Sequence, residues 1–289
     1  MLKGSIVALI TPFDGDSLSE DNYIKMINYH LENGSNGIVP GGTTGESPTL
    51  SHNEHRKIIE IAVRECKGKI PVIAGTGSNS TDEAVELSKF AEKAGSDALL
   101  VVTPYYNKPT QEGLYQHYKK INDNVGIPII IYNIPSRSVI NMEVDTMAKL
   151  YELKNIKGVK DATGDLNRVD QQLKAMGKEF IQLTGNDDNA FEFNKRGGVG
   201  AIGVTANVAA KLASDFQKAC VDDVKRAVEL DKMLQPLHSS LFIESNPSPV
   251  KYAASLLGMC KPNVRLPLVE IRDETKKRVS EALKVAKLL

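Results

Sequence analysis

Short apolar runs recur along the chain, separated by amphipathic stretches. Runs at 6–10, 37–40, 71–74, 98–103, 128–132, 156–160, 181–184 and 201–205 are rich in Ile, Val, Leu and Ala and are bounded by Gly, Pro or Asn. Apolarity over so few residues predicts strands buried on both faces, as in a parallel sheet. Between them, apolar positions fall at helical spacing behind polar start signals. Ser19-Glu20-Asp21-Asn22 precedes Tyr23, Ile24 and Ile27, and Ser51-His52-Asn53-Glu54 reads as a capping box ahead of Ile58, Ile59 and Ala62. Ser80-Thr81-Asp82-Glu83 opens a helix through Ala84, Leu87 and Phe90, which Gly95 ends.

Roughly eight β-then-α units within about 215 residues match the length of a (β/α)8 TIM barrel. A doubly wound open sheet alternates in the same way, and periodicity does not separate the two; the count of eight favours the barrel. After about residue 222 no strand signal returns. Helical stretches follow at about 222–235, 247–257 and 270–287, with no low-complexity linker before them. The expected organisation is a catalytic barrel at 1–221 and a C-terminal three-helix extension at 222–289 packed on it.

Composition narrows the class. The 289 residues are 41% apolar and 25% charged, as in a soluble globular protein. Lys+Arg and Asp+Glu both number 36, which leaves no overall field to draw nucleic acid or an anionic membrane. No apolar run approaches the roughly 18 residues of a membrane span. The N-terminus enters a strand-like run at once, leaving no room for a signal peptide, so the expected location is the cytoplasm. Cys66, Cys220 and Cys260 are odd in number and far apart, which fits reduced thiols and neither a metal set nor a redox pair.

In such a barrel the chemistry sits at the C-terminal strand ends and in the loops that follow. One apolar run ends in Tyr132 and the next in Lys160, so an amine and a phenol would share a pocket. That pair suits Schiff-base chemistry on a carbonyl substrate, with the amine attacking and the phenol moving protons. A surface lysine just past a strand is the plainer alternative, although lysine is rarely buried without a reason. Gly41-Gly42-Thr43-Thr44-Gly45 lacks the phosphate-binding spacing GxxxxGK[ST]. Bare amides flanked by two hydroxyls suit a small carboxylate better, and a plain tight turn stays open. His52 and His55, three apart on a helix, lack a third ligand at metal-site spacing, so no metal is expected. His30, His117 and His238 read as structural or exposed. Of the neighbours Tyr105 and Tyr106, only one would face a site.

Ordered motifs then resemble one family nearly end to end. Gly41-Gly42-Thr43-Thr44-Gly45-Glu46, Tyr105-Tyr106-Asn107-Lys108-Pro109, Tyr132-Asn133-Ile134-Pro135-Ser136-Arg137, Gly158-Val159-Lys160-Asp161-Ala162-Thr163-Gly164 and Glu244-Ser245-Asn246-Pro247 are similar to those of dihydrodipicolinate synthases, also named 4-hydroxy-tetrahydrodipicolinate synthases. These belong to the pyruvate-dependent aldolases that include N-acetylneuraminate lyase. The resemblance implies condensation of pyruvate with L-aspartate 4-semialdehyde, on the diaminopimelate route to lysine. It implies no cofactor beyond the covalent lysine–pyruvate imine, and a homotetramer built as a dimer of dimers.

Position by position, Lys160 resembles the Schiff-base lysine, Tyr132 the proton donor and acceptor, and Thr43 the relay to Tyr106, which reaches in from a neighbouring subunit. Thr44, Gly185 and Ile202 match positions around pyruvate, and Arg137 matches the residue that holds the semialdehyde carboxylate. Ser47, His52, His55, Asn79, Glu83 and Tyr105 match an allosteric site for L-lysine in inhibited members, with Pro48 of the same set standing where a smaller residue often occurs. A departure is Ser138-Val139-Ile140, where many synthases carry Thr-Gly or a similar pair. The neighbouring readings are another pyruvate-dependent aldolase, acting on N-acetylneuraminate or a keto-deoxy sugar acid, and a non-catalytic small-acid sensor. Lys160, Tyr132, Thr43, Tyr106 and Arg137 together argue against a sensor, which needs no nucleophile.

Overall fold

Each predicted apolar run forms a strand in the computed structural model, which describes residues 2–289. The strands are β1 (Gly4–Ala8), β2 (Gly37–Val39), β3 (Ile73–Gly75), β4 (Ala98–Val102), β5 (Ile129–Asn133), β6 (Ile156–Asp161), β7 (Ile181–Thr184) and β8 (Gly200–Gly203). A helix follows each: α1 (Glu20–Glu32), α2 (His52–Cys66), α3 (Thr81–Ala94), α4 (Gln111–Asn122), α5 (Val144–Tyr151), α6 (Asn167–Met176), α7 (Ala190–Lys195) and α8 (Ala206–Asp222). The sheet runs β2-β1-β8-β7-β6-β5-β4-β3 with parallel pairing throughout. A parallel bridge between Ile38 and Val72 joins β2 to β3 and closes the ring, and Gly75 N donates to Pro40 O at 2.8 Å beside it. Closure makes this a (β/α)8 barrel and excludes the open doubly wound sheet.

Alternation along each strand builds two apolar layers. Ile6, Ala8, Val39, Ile73, Leu100, Ile130, Leu183 and Ile202 fill the barrel interior. The intervening residues, such as Leu99, Val101, Ile129, Ile131 and Val159, face the surrounding helices. Burying a side chain of that size stabilises by about 1.5–3 kcal/mol. The helix starts follow the sequence signals. Ser51 and Glu54 form a reciprocal capping box on α2, Ser80 accepts from Glu83 N on α3, and Gly95 closes α3 at a φ of 99°.

Two strands, β1 and β8, stop two residues short of the expected C-terminal end. Leu9 and Ile10 leave the sheet after Ala8 but stay fully buried. The last strand stops at Gly203 because the Asp187 carboxylate takes the next amides, from Val204 (2.7 Å) and Thr205 (3.0 Å). That carboxylate caps the entry to α8, where a negative charge is favoured.

Three further helices, α9 (Val224–Ser240), α10 (Ser248–Leu256) and α11 (Asp273–Val285), follow the barrel. Leu230, Leu234, Leu237, Val250, Ala253, Val279 and Leu283 share one apolar cluster with Val7, Ile10, Tyr23 and Ile38. No helix of the described residues is long and apolar enough to cross a membrane.

Candidate active site

The alternation that fills the barrel also aims the chemistry. Tyr132 continues the inward face of β5, two residues past Ile130. Its register partner on β6 is Lys160, only 5% exposed, whose Nζ lies 4.2 Å from the centroid of the Tyr132 ring. The next residue, Asp161, points the other way. Arg168 Nε and Gln172 Nε2 each donate to its carboxylate at 2.9 Å. The two-residue period thus keeps an amine free of a carboxylate that sits next to it in sequence.

Gly185, just past β7, makes room for that amine. A Cβ there would lie 2.7 Å from Ala162 Cβ and 3.0 Å from Lys160 Cε. Gly41 is required for a different reason: its φ is +67°, and a Cβ would stand 2.4 Å from His55 Nε2. His55 Nε2 is itself bonded to Gly75 O at 2.8 Å, so the turn after β2 folds tightly over the end of β3. Glu46 N donates to Thr43 O at 3.1 Å and Gly45 N to Gly42 O at 3.0 Å. The Thr43 and Thr44 amides have no protein acceptor among the described residues. Thr44 Oγ1 accepts from Asn246 Nδ2 at 2.9 Å.

A cavity of about 330 Å³ opens over these groups. Thr43, Thr44, Tyr132, Lys160, Gly185 and Arg137 all line it, with Ala162 and Val204 as apolar wall. Arg137 sits on a one-turn helix, Pro135–Ser138, and its Nη2 donates to Asn246 O at 3.3 Å. Ile202 is fully buried in the interior layer beside Tyr132, two residues before the cavity-lining Val204. Tyr106 is not among the lining residues. It is 88% exposed on a turn where it and Lys108 both have positive φ, at 72° and 47°.

Sequence reasoning gave no site role to several lining residues: His238, Ser239, Phe242 and Asn246. Asn246 had a signal, in the Glu244–Pro247 motif, but nothing local told what it touches. His238 is buried, with Nδ1 2.7 Å from Thr205 Oγ1, and it borders the cavity. His30 and His117 are buried away from it, and burial lowers their pKa values to about 3 and about 4. All three cysteines are free thiols.

A second cavity, about 250 Å³, is lined by Ser47, Pro48, His52, His55, Glu83 and Tyr105. His52 Nε2 lies 3.6 Å from Glu83 Oε1, and Ser78 Oγ donates to the other Glu83 oxygen. Burial, reinforced by the Glu83 charge, pushes the Tyr105 phenol above its ordinary range. Asn79 does not line this cavity; its carbonyl accepts from Asn107 Nδ2 at 2.8 Å in the loop above.

A buried amine under a phenol at the C-terminal mouth of a (β/α)8 barrel defines an aldolase-type, Schiff-base enzyme. Residues 1–286 match the model of the dihydrodipicolinate synthetase family, and the chain belongs to that family. It is 68% identical to the 4-hydroxy-tetrahydrodipicolinate synthase of Pelagibacter ubique over 293 aligned positions, covering 100% of both chains. The structure is similar to the Acinetobacter baumannii dihydrodipicolinate synthase complexed with pyruvate (TM-score 0.98, 43% identity, 100% of both chains). It is also similar to the lysine-bound enzyme of Cyanidioschyzon merolae (TM-score 0.96, 34% identity, 99% of both chains).

Proposed function

We propose that this enzyme condenses pyruvate with L-aspartate 4-semialdehyde to 4-hydroxy-tetrahydrodipicolinate, in lysine biosynthesis through diaminopimelate. The observation that carries the mechanism is the Lys160–Tyr132 register pair inside a cavity with Arg137 on its wall. Lys160 Nζ attacks the keto carbon of pyruvate and, with loss of water, forms an iminium. The iminium takes up the electron pair left when a methyl proton departs, giving an enamine that attacks the aldehyde. The substrate's own amine then closes the ring on the imine carbon and returns Lys160 as free amine. No other cofactor is needed, because the iminium is the electron sink.

In this reading Tyr132 accepts and returns the protons, through Thr43 and a Tyr106 hydroxyl from a neighbouring subunit. The exposure of Tyr106 supports that crossing, and a homotetramer would place it. Thr44, with the free amides of its turn, holds the pyruvate carboxylate, and Gly185 and Ile202 shape the space around it. Arg137 offers a planar fork to the semialdehyde carboxylate. Residues 1–221 act as the catalytic barrel and 222–289 as a helical region that completes its rim. Cytoplasmic location follows from the reaction's place in primary metabolism. The test is pyruvate consumption with the semialdehyde, coupled to the NADPH-dependent reductase of the next step. Turnover abolished by Lys160→Ala is the expected result. Without turnover, a pyruvate adduct still trapped on Lys160 by borohydride would move the acceptor to a sugar acid.

The second cavity favours an added reading, feedback by L-lysine. Glu83 offers a carboxylate, and Ser47 and Tyr105 offer hydroxyls, to an amino acid. Saturating L-lysine is expected to lower the rate, and an unchanged rate would reject the site.

A further inference from the structure

Glu46 and Lys251 form an ion pair in which both side chains are fully buried, 205 residues apart. Glu46 ends the turn that carries Thr43 and Thr44, and it sits in the left-handed region at φ 56°, ψ 35°. Its second oxygen accepts from Arg265 N at 3.0 Å. Lys251 lies on α10, with its Nζ 4.0 Å from the centroid of Phe13, while Arg265 Cζ stacks 4.1 Å from the same ring. Five residues before Lys251, Asn246 holds Thr44 Oγ1 and receives Arg137 Nη2. Two ties thus run in parallel from positions 44 and 46 to positions 246 and 251.

A buried ion pair is a weak source of stability, because desolvation offsets much of its attraction. Its location beside strained backbone gives it another use. We infer that Glu46 and Lys251 are positioning residues, which fix the Thr43–Thr44 turn at the distance and orientation that the pyruvate carboxylate requires. The inference rests on the reading of Thr44 as part of the pyruvate site. Neither residue borders the cavity, so each acts through the turn and not on substrate.

The pair also explains why the helical region belongs to the active site. Without the anchor on α10, Thr44 would keep its place in sequence but lose the register with Lys160, and a shift of about 1 Å costs on the order of 10²-fold in an aligned site.

The experiment compares the parent enzyme with Glu46→Gln/Lys251→Met, which removes both charges and leaves neither unpaired. Glu46→Gln alone, which keeps shape and one acceptor oxygen, is the second variant, and Thr44→Val is the reference for the pyruvate site. Melting is followed beside both Michaelis constants. In the folded variants the pyruvate KM is expected to rise about tenfold, with the semialdehyde KM changing less than about twofold. A merely structural pair would move the melting temperature and leave that split untouched. Parental pyruvate KM in either folded variant, beside a weakened Thr44→Val, would overturn the positioning role alone. Parental pyruvate KM in Thr44→Val would overturn the reading of Thr44 and the inference with it.

Discussion

Lys160 and Tyr132 are register partners on adjacent strands, and both point into the barrel with the amine 4.2 Å from the ring centroid. The pairing sets the phenol ring against the amine proposed to form the imine, so the Tyr132 hydroxyl can be tested apart from that contact. Tyr132→Phe keeps the ring and removes only the hydroxyl. Turnover is expected to fall about 10²–10⁴-fold, the usual weight of a general acid–base group. Borohydride should still trap pyruvate on Lys160, seen by intact mass. Parental turnover in this variant would remove Tyr132 from the proton path.

Gly185→Ala tests the room that Lys160 needs. The added methyl meets Ala162 Cβ at 2.7 Å and Lys160 Cε at 3.0 Å, so the lysine tip must shift. Displacement of a reacting group by such an amount is expected to lower kcat on the order of tenfold or more. Stability should fall as well, because the closer contact is with Ala162 Cβ, which has no flexible side chain to turn aside. A variant with unchanged kcat and unchanged trapping rate would contradict the steric reading.

Arg137→Ala separates the two substrates. Its guanidinium lies on the cavity wall with one nitrogen on Asn246 O at 3.3 Å, and the Asn246 side chain in turn reaches Thr44 Oγ1 at 2.9 Å. The semialdehyde KM is expected to rise on the order of 10²-fold, and the pyruvate KM far less, since a charge-assisted fork is lost from one substrate only. Equal rises in both would assign Arg137 to general site integrity.

Val139 carries strain that the sequence comparison already marked as unusual. It is a β-branched residue at φ 67°, exposed, at the end of the turn that holds Arg137. The left-handed conformation costs a β-branched residue roughly 1–2 kcal/mol, and glycine recovers most of this while losing some chain entropy. Val139→Gly is therefore expected to raise the melting temperature by about 1–2 °C. A lower melting temperature would show that the side chain earns its place by packing.

The Arg265–Glu54 ion pair makes part of the stability pH-dependent. The Arg265 guanidinium, hydrogen-bonded to the carboxylate, holds the Glu54 pKa down at about 2. A depressed folded pKa contributes stability that is present above the unfolded value, about 4.3, and is lost as pH falls toward the folded value. The melting difference between parent and Arg265→Gln should be constant from pH 7 to about 5, then shrink from about 4.3 downward. A difference that stays flat to pH 3 would remove this pair from the acid response.

Much of the fold was legible because its signals are local. A run such as Ile129–Asn133 declares itself a buried strand by composition, and Ser51 with Glu54 declares a helix start by spacing alone. Lys160 and Tyr132 were legible for the same reason, since a polar residue ending an apolar strand needs no partner to be noticed. The lining residues Phe242, His238 and Asn246 carry no such mark. They reach the cavity only because α9 and α10 pack against the barrel.

The order of strands, their alternation and the placing of Lys160 and Tyr132 at neighbouring strand ends were thus determined by the sequence, through side-chain period and short-range capping chemistry. Closure between β2 and β3, the meeting of Thr44 with Asn246 across 202 residues, and the burial of Glu46 against Lys251 were decided by tertiary structure alone. Those contacts depend on the sum of packing over the whole core, and no window of sequence contains both partners.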